Sequence, residues 1–172
     1  MQITDYLGPQ SIKVPMKATT RWEAIEELLD LLAQQSSVGD RKTVFARIRD
    51  RENLVPDGAY VGDLVAMPHY GGIDCEGKRV AIGIFAAPID WTGDQKPVQI
   101  VVLTIVQGSS KEVVYAPLSR MSEILKPPQV REAVLQSRTA SDVYECIIRE
   151  DRFAEETKAL PNQGLKLWRS LT

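Results

Sequence analysis

The chain has 172 residues, 44% hydrophobic and 26% charged, with 21 basic against 23 acidic side chains. This profile excludes disordered and fibrous classes, and a single domain of this length buries about 70% of the surface its unfolded chain exposes, enough for a core without staples. Balanced charge with no basic cluster among aromatics leaves nucleic-acid binding without an electrostatic footprint, and the longest apolar runs, such as Ile100 to Val106, are far too short to span a membrane.

The start of the chain, Met1-Gln2-Ile3-Thr4-Asp5-Tyr6-Leu7, lacks the basic opening and small-residue cleavage site of a signal peptide, so a cytoplasmic protein is expected. Gly8-Pro9 then predicts a turn, and the alternation of Ile12 with Val14 predicts a short strand. Thr20-Arg21-Trp22-Glu23 has capping-box spacing, followed by Ile25, Leu28, Leu29 and Leu32 on one helical face. That helix should end near Gln35, with Gly39 in the connection. Asp40 caps a second helix through Val44, Phe45 and Ile48 toward Arg51-Glu52.

After the turn at Pro56-Asp57-Gly58, residues Val61, Val65, Ala66 and Met67 suit an extended, mostly buried segment. Pro68 cannot donate to a sheet ladder, so the strand is expected to break at His69, with a turn at Tyr70-Gly71-Gly72. Two β-branched blocks, Val80 to Ala86 and Ile100 to Val106, predict central strands apolar on both faces. A helical pattern runs through Val113, Leu118, Met121, Ile124 and Leu125, and Pro117 inside it implies a kink or a start later than Lys111. Pro128 opens a further helix and Ser141 is placed to cap another. Asp151 to Thr172 reads as an appended tail after a domain of residues 1–150, with a docking helix as one form for it. The order of elements predicts an α/β layered sandwich, a mixed central sheet with helices on both faces.

His69 is the only histidine and the only side chain whose unperturbed pKa falls near neutrality. Cys75 and Cys146 are far apart, with no Cys-x-x-Cys pair and no second histidine, so reduced thiols and no metal site are expected. No Gly-rich phosphate loop, nucleophile elbow or paired-carboxylate motif calls for a cofactor or an independent metabolic enzyme, and Asp63, Asp90 and Asp94 read as loop or strand-end residues.

Arg51-Glu52, then Gly62 and Val65-Ala66-Met67-Pro68-His69, then Pro88-Ile89-Asp90-Trp91 through Asp94 to Pro97-Val98, then Leu118-Ser119 together resemble the enzyme IIA domain of the bacterial sugar phosphotransferase system. The type is the fructose/mannitol one, which includes the nitrogen-regulatory proteins, and the resemblance covers roughly the first 150 residues. It implies a phosphocarrier: His69 would accept a phosphoryl group from a histidine-phosphorylated carrier protein and pass it on, to an enzyme IIB or a regulatory target, with Arg51 helping to hold the phosphate. The chemistry agrees, since a neutral imidazole nitrogen is a competent nucleophile and a planar guanidinium suits phosphate oxygens. Many relatives carry a second histidine near the start of the helix after the last strand. Counting back from Leu118-Ser119 puts that position at Val114, and Ala59 and Tyr60 replace a usual threonine and glycine. Ser109, Ser110 or backbone N–H groups are then expected to support transfer. The alternative is a non-catalytic regulatory binding module on the same fold, rarely or never phosphorylated. The two combine, because phosphoryl on His69 brings roughly two negative charges to a docking surface. The short chain fits the nitrogen-regulatory branch better than a sugar permease with fused partners.

Overall fold

A computed structural model of the chain describes residues 1–159. After short 3-10 turns at Ile3–Asp5 and Pro9–Ser11, the elements are β1 (Ile12–Lys13), α1 (Arg21–Ala33), α2 (Arg41–Leu54), β2 (Tyr60–Gly62), β3 (Val65–Ala66), β4 (His69–Gly72), β5 (Lys78–Asp90), β6 (Pro97–Gln107), α3 (Lys111–Leu125), α4 (Pro128–Gln136) and α5 (Ala140–Ala159).

The helix signals act as their chemistry dictates. Thr20 Oγ1 accepts from the backbone N–H of Glu23 at 3.2 Å, while the Glu23 carboxylate turns back to Thr19, accepting from its N–H at 2.8 Å. The Asp40 carboxylate accepts from Thr43 N–H at 3.0 Å to start α2. Two expectations are corrected. The cap of α5 is Thr139, whose hydroxyl accepts from Asp142 N–H at 3.1 Å while Asp142 answers at 3.2 Å, so the box closes two residues before Ser141. And α3 begins at Lys111 on a Ser110 cap with Pro117 in its interior, which overturns the later start and leaves the kink as the other outcome expected of that proline; the packing of Leu118, Met121, Ile124 and Leu125 outweighs the one backbone bond it removes.

The sheet is mixed, in the order β1-β5-β6-β3-β2, with β4 also on β6. The long hairpin β5–β6 is antiparallel, and β1 is parallel to β5. Along both long strands alternate residues face opposite sides, as a period of two requires. Val80, Ile82, Ile84, Ile100 and Val102 meet α3, α4 and α5, whereas Ala81, Phe85, Val101, Leu103 and Ile105 meet α1 and α2. Two cores therefore sandwich one sheet, the layered α/β architecture expected. Among the described residues no helix is long and apolar enough to cross a membrane.

The segment around Pro68 differs from expectation in a way that matters. β3 and β4 run parallel to β6 in one unbroken register, Val65 opposite Ile100 and His69 opposite Thr104. The ladder is interrupted only at Met67-Pro68, where the Met67 N–H turns to the Ala59 carbonyl at 2.7 Å and the Pro68 carbonyl still accepts from Thr104 N–H at 3.1 Å. His69 is thus the first residue of a resumed strand, and Tyr70-Gly71-Gly72 continue that strand. Proline removes one donor without slipping the register, so the pairing resumes as soon as the next N–H is offered.

At the other end of the chain α5 runs without a break through position 150 to Ala159. Asp151 is buried there: its carboxylate accepts from the guanidinium of Arg120 on α3 and from the backbone N–H of Ile3 at 3.1 Å. The division expected between residues 150 and 151 falls inside this helix, and residues 160–172 of the expected tail lie outside the described ones.

Candidate functional site

The cleft at His69 is framed by the start of β4 and by the middle and last turns of α3, and Arg51 at the end of α2 acts on the imidazole through its charge. Pro68 ends the ladder gap, and the imidazole of His69 projects on the α3 side of the sheet. Its Nδ1 lies 3.1 Å from the Met67 carbonyl oxygen. A carbonyl only accepts, so this bond assigns the proton of the neutral ring to Nδ1 and leaves the lone pair on Nε2. Nε2 is buried and has no hydrogen-bond partner among the described residues. Burial holds the imidazole below its ordinary pKa, the bond to Met67 opposes that, and the charge of Arg51 adds to the lowering. The ring is accordingly neutral at pH 7.

His69 lines a cleft of about 390 Å³ together with Gly58, Val61, Met67 and the α3 residues Leu118, Ser119, Ser122 and Glu123. The aromatic ring of Tyr115, one turn earlier on α3, stands edge-on to the imidazole with centroids 5.9 Å apart and planes at 63°. Val114 does not meet His69 in this way. It packs on β4 at Gly71, where a Cβ would fall 2.3 Å from Val114 Cγ2 and 2.8 Å from the Gly108 carbonyl oxygen. Glycine at position 71 is what lets α3 approach the strand so closely, and the approach brings Tyr115 onto the imidazole.

Arg51 occupies the last turn of α2, exposed, and forms no ion pair among the described residues. Its charge reaches both His69 and its own neighbour Glu52. Glu52 points the other way, into the core, only 3% exposed. Burial pushes its carboxyl up to about 7 against the opposing influence of Arg21, the Trp91 indole and Arg51. Neither Glu52 Oε2 nor Trp91 Nε1 has a hydrogen-bond partner among the described residues.

The hydroxyl oxygen of Ser110 caps α3, accepting from Val113 N–H at 3.3 Å, and Ser109 is exposed beside it. Asp63 sits in the β2–β3 turn and pairs with Arg131 at 3.6 Å, and Asp90 binds the loop N–H groups of Gly93, Gln95 and Lys96. Among the described residues no three His, Cys, Asp or Glu side chains come together as metal ligands would.

Sequence reasoning missed Tyr115, although it lies three and four residues before Leu118 and Ser119 and so on their helical face. It also missed that Glu52 turns inward, because a glutamate at a charged helix end ordinarily stays in water.

This is a layered α/β domain in which one Pro-His strand start faces α3, and Arg51 at the end of α2 has no ion pair among the described residues. Residues 5–150 match the family described as "Phosphoenolpyruvate-dependent sugar phosphotransferase system, EIIA 2", and the chain belongs to that family. It is 30% identical over 153 residues to a nitrogen regulatory protein of Bradyrhizobium diazoefficiens, covering 84% of this chain and 93% of that one. It is 22% identical to the fructose-specific EIIABC component of Bacillus subtilis, where the match takes in 88% of this chain but spans only 24% of the longer protein. In fold it is similar to enzyme IIAMTL of Escherichia coli, solved in complex with phosphorylated enzyme IIBMTL, with a TM-score of 0.70 at 19% identity over 82% of this chain and 96% of that one.

Proposed function

We propose that this chain is a phosphocarrier in which His69 Nε2 takes a phosphoryl group from a histidine-phosphorylated carrier protein and hands it on, with a regulatory role of the nitrogen-regulatory kind. The observation that carries the reading is the 3.1 Å bond from Nδ1 to the Met67 carbonyl, which leaves Nε2 as the unprotonated nitrogen of a ring kept neutral by burial. In the step, the Nε2 lone pair forms the new N–P bond while the N–P bond of the donor breaks, its electron pair returning to the donor nitrogen. The accepting ring becomes cationic, and the Met67 carbonyl receives a more strongly donated Nδ1–H as that charge develops. Arg51, free of any ion pair among the described residues, supplies the guanidinium for the phosphoryl oxygens.

An apolar rim supports a protein donor rather than a small molecule. Val61 lines the cleft at 53% exposure, and Val55, 58% exposed, packs against Gly58 of the same cleft. The onward partner is an enzyme IIB or a regulatory target; the regulatory choice is supported by the nitrogen regulatory relative, 93% of which the match covers.

The second reading, a binding module whose histidine is not phosphorylated, is supported by one observation, the complete burial of Nε2. Incubation with phosphoenolpyruvate, enzyme I and a histidine carrier separates the two. The phosphocarrier reading expects an acid-labile phosphate on the wild type and none on His69→Ala. A wild type that stays unlabelled leaves the binding module.

A further inference from the structure

We infer that Tyr115 is a movable cover on His69, its ring closing Nε2 off from solvent and swinging outward on its own side-chain torsions before a reagent or donor reaches that nitrogen. The purpose of such a cover rests on the phosphocarrier reading; its geometry does not.

Nε2 is buried although His69 lines an open cleft. An in-line donor must bring phosphorus to within about 3–3.5 Å of that nitrogen along its lone pair, so something over the ring has to move. Most of what surrounds the ring is fixed. Met67 and Leu118 are core residues, 4% and 8% exposed, and Gly58 is held by its N–H bond to the Val55 carbonyl at 2.8 Å. Ser119 and Ser122 are too short to cover a ring and move only with α3. Tyr115 is different. It touches the imidazole edge-on yet is 45% exposed, and among the described residues its hydroxyl forms no hydrogen bond. Turning it outward gives up one aromatic contact and disturbs no core packing, and rotamer exchange of exposed side chains is fast compared with any enzymatic turnover. A single edge-to-face contact corresponds to about a two- to tenfold bias toward the closed arrangement. That bias is large enough to slow access and small enough to allow it.

His69 is the only histidine in the chain, so access to it can be read without any partner protein. The probe is diethyl pyrocarbonate, which acylates the unprotonated imidazole, with the His69 peptide followed by mass spectrometry in the full chain. The charged groups at the site are Arg51 of α2, whose charge reaches the ring, and Glu123 of α3, which lines the cleft and is paired with Arg120 and Lys158. Neither changes in the variants, and an NMR titration of the lone histidine corrects each rate to the neutral ring. Tyr115→Ala should be acylated about two- to tenfold faster than wild type, whereas Tyr115→Phe, which keeps the ring, should stay within about twofold. The titration midpoint should rise in the alanine variant, as burial is relieved, and hold in the phenylalanine one. Equal rates for alanine variant and wild type overturn the cover, as does a phenylalanine variant as fast as the alanine one.

A parallel phosphorylation with phosphoenolpyruvate, enzyme I and carrier separates the two ideas. Faster acylation of Tyr115→Ala in a protein that takes no phosphate supports the cover and sinks the phosphocarrier reading. Unchanged acylation in a protein that is phosphorylated normally does the reverse.

Discussion

Glu52 next to Trp91 offers a quantitative test of how the end of α2 is built. Its carboxyl, 3% exposed, is pushed from an ordinary 4.5 up to about 7, chiefly by burial. A raised carboxyl pKa means the folded state holds a proton that the unfolded state has already released. Stability from this group is therefore fully present below pH 4.5 and is lost as pH rises through about 7. Holding that proton in the folded state alone is worth about 1.4 kcal/mol for every pH unit of the window, so the whole loss is about 3 kcal/mol. Glu52→Gln keeps the shape and stays neutral at every pH. The stability of the variant minus that of wild type, from urea unfolding at a series of pH values, should rise by about 1.4 kcal/mol per pH unit between 4.5 and 7 and then level off. Taking the difference cancels the titration of every other group. A flat difference across that window, or one that falls with pH, would refute the argument that burial dominates over Arg21, Trp91 and Arg51.

Two structural predictions accompany those on His69 and Tyr115. Gly71→Ala places a Cβ 2.3 Å from Val114 Cγ2 and 2.8 Å from the Gly108 carbonyl, and should cost about 1–3 kcal/mol in urea unfolding. Adding Val114→Ala should recover only part of the loss, since the backbone carbonyl stays in place. Asp151→Ala removes the buried partner of Arg120 and the acceptor for Ile3 N–H, and should cost about 3–5 kcal/mol, a loss that calorimetry would register as a lowered Tm. A neutral outcome there would mean that Arg120 finds its charge compensation in Glu123 and Glu155 alone.

These predictions divide according to how far along the chain their causes lie. Local chemistry was legible from the residues themselves. Thr20 and Asp40 start helices because a side-chain oxygen three residues before a free N–H is a local arrangement. The two-sided apolar blocks of β5 and β6 announce a sheet covered on both faces, because burial on both sides leaves no polar alternation. His69 stood out as the single imidazole, with Pro68 holding the strand edge before it.

What the residues did not disclose depends on packing between segments far apart in sequence. The register that carries β3 and β4 along β6 as one strand is set by ladder bonds on both sides of Pro68, so His69 begins a strand where local reasoning ended one. The identity of its aromatic neighbour turned on the rotation of α3 over Gly71, which points Val114 at the strand and Tyr115 at the ring. Glu52 stands at a charged helix end in the sequence, yet the fold leaves it 3% exposed with Trp91 beside it. Sequence alone determined which residues have chemistry to offer, because that is covalent. Tertiary structure decided which of them meet, and in what dielectric, because proximity and burial exist only once the sheet and both helical layers have closed.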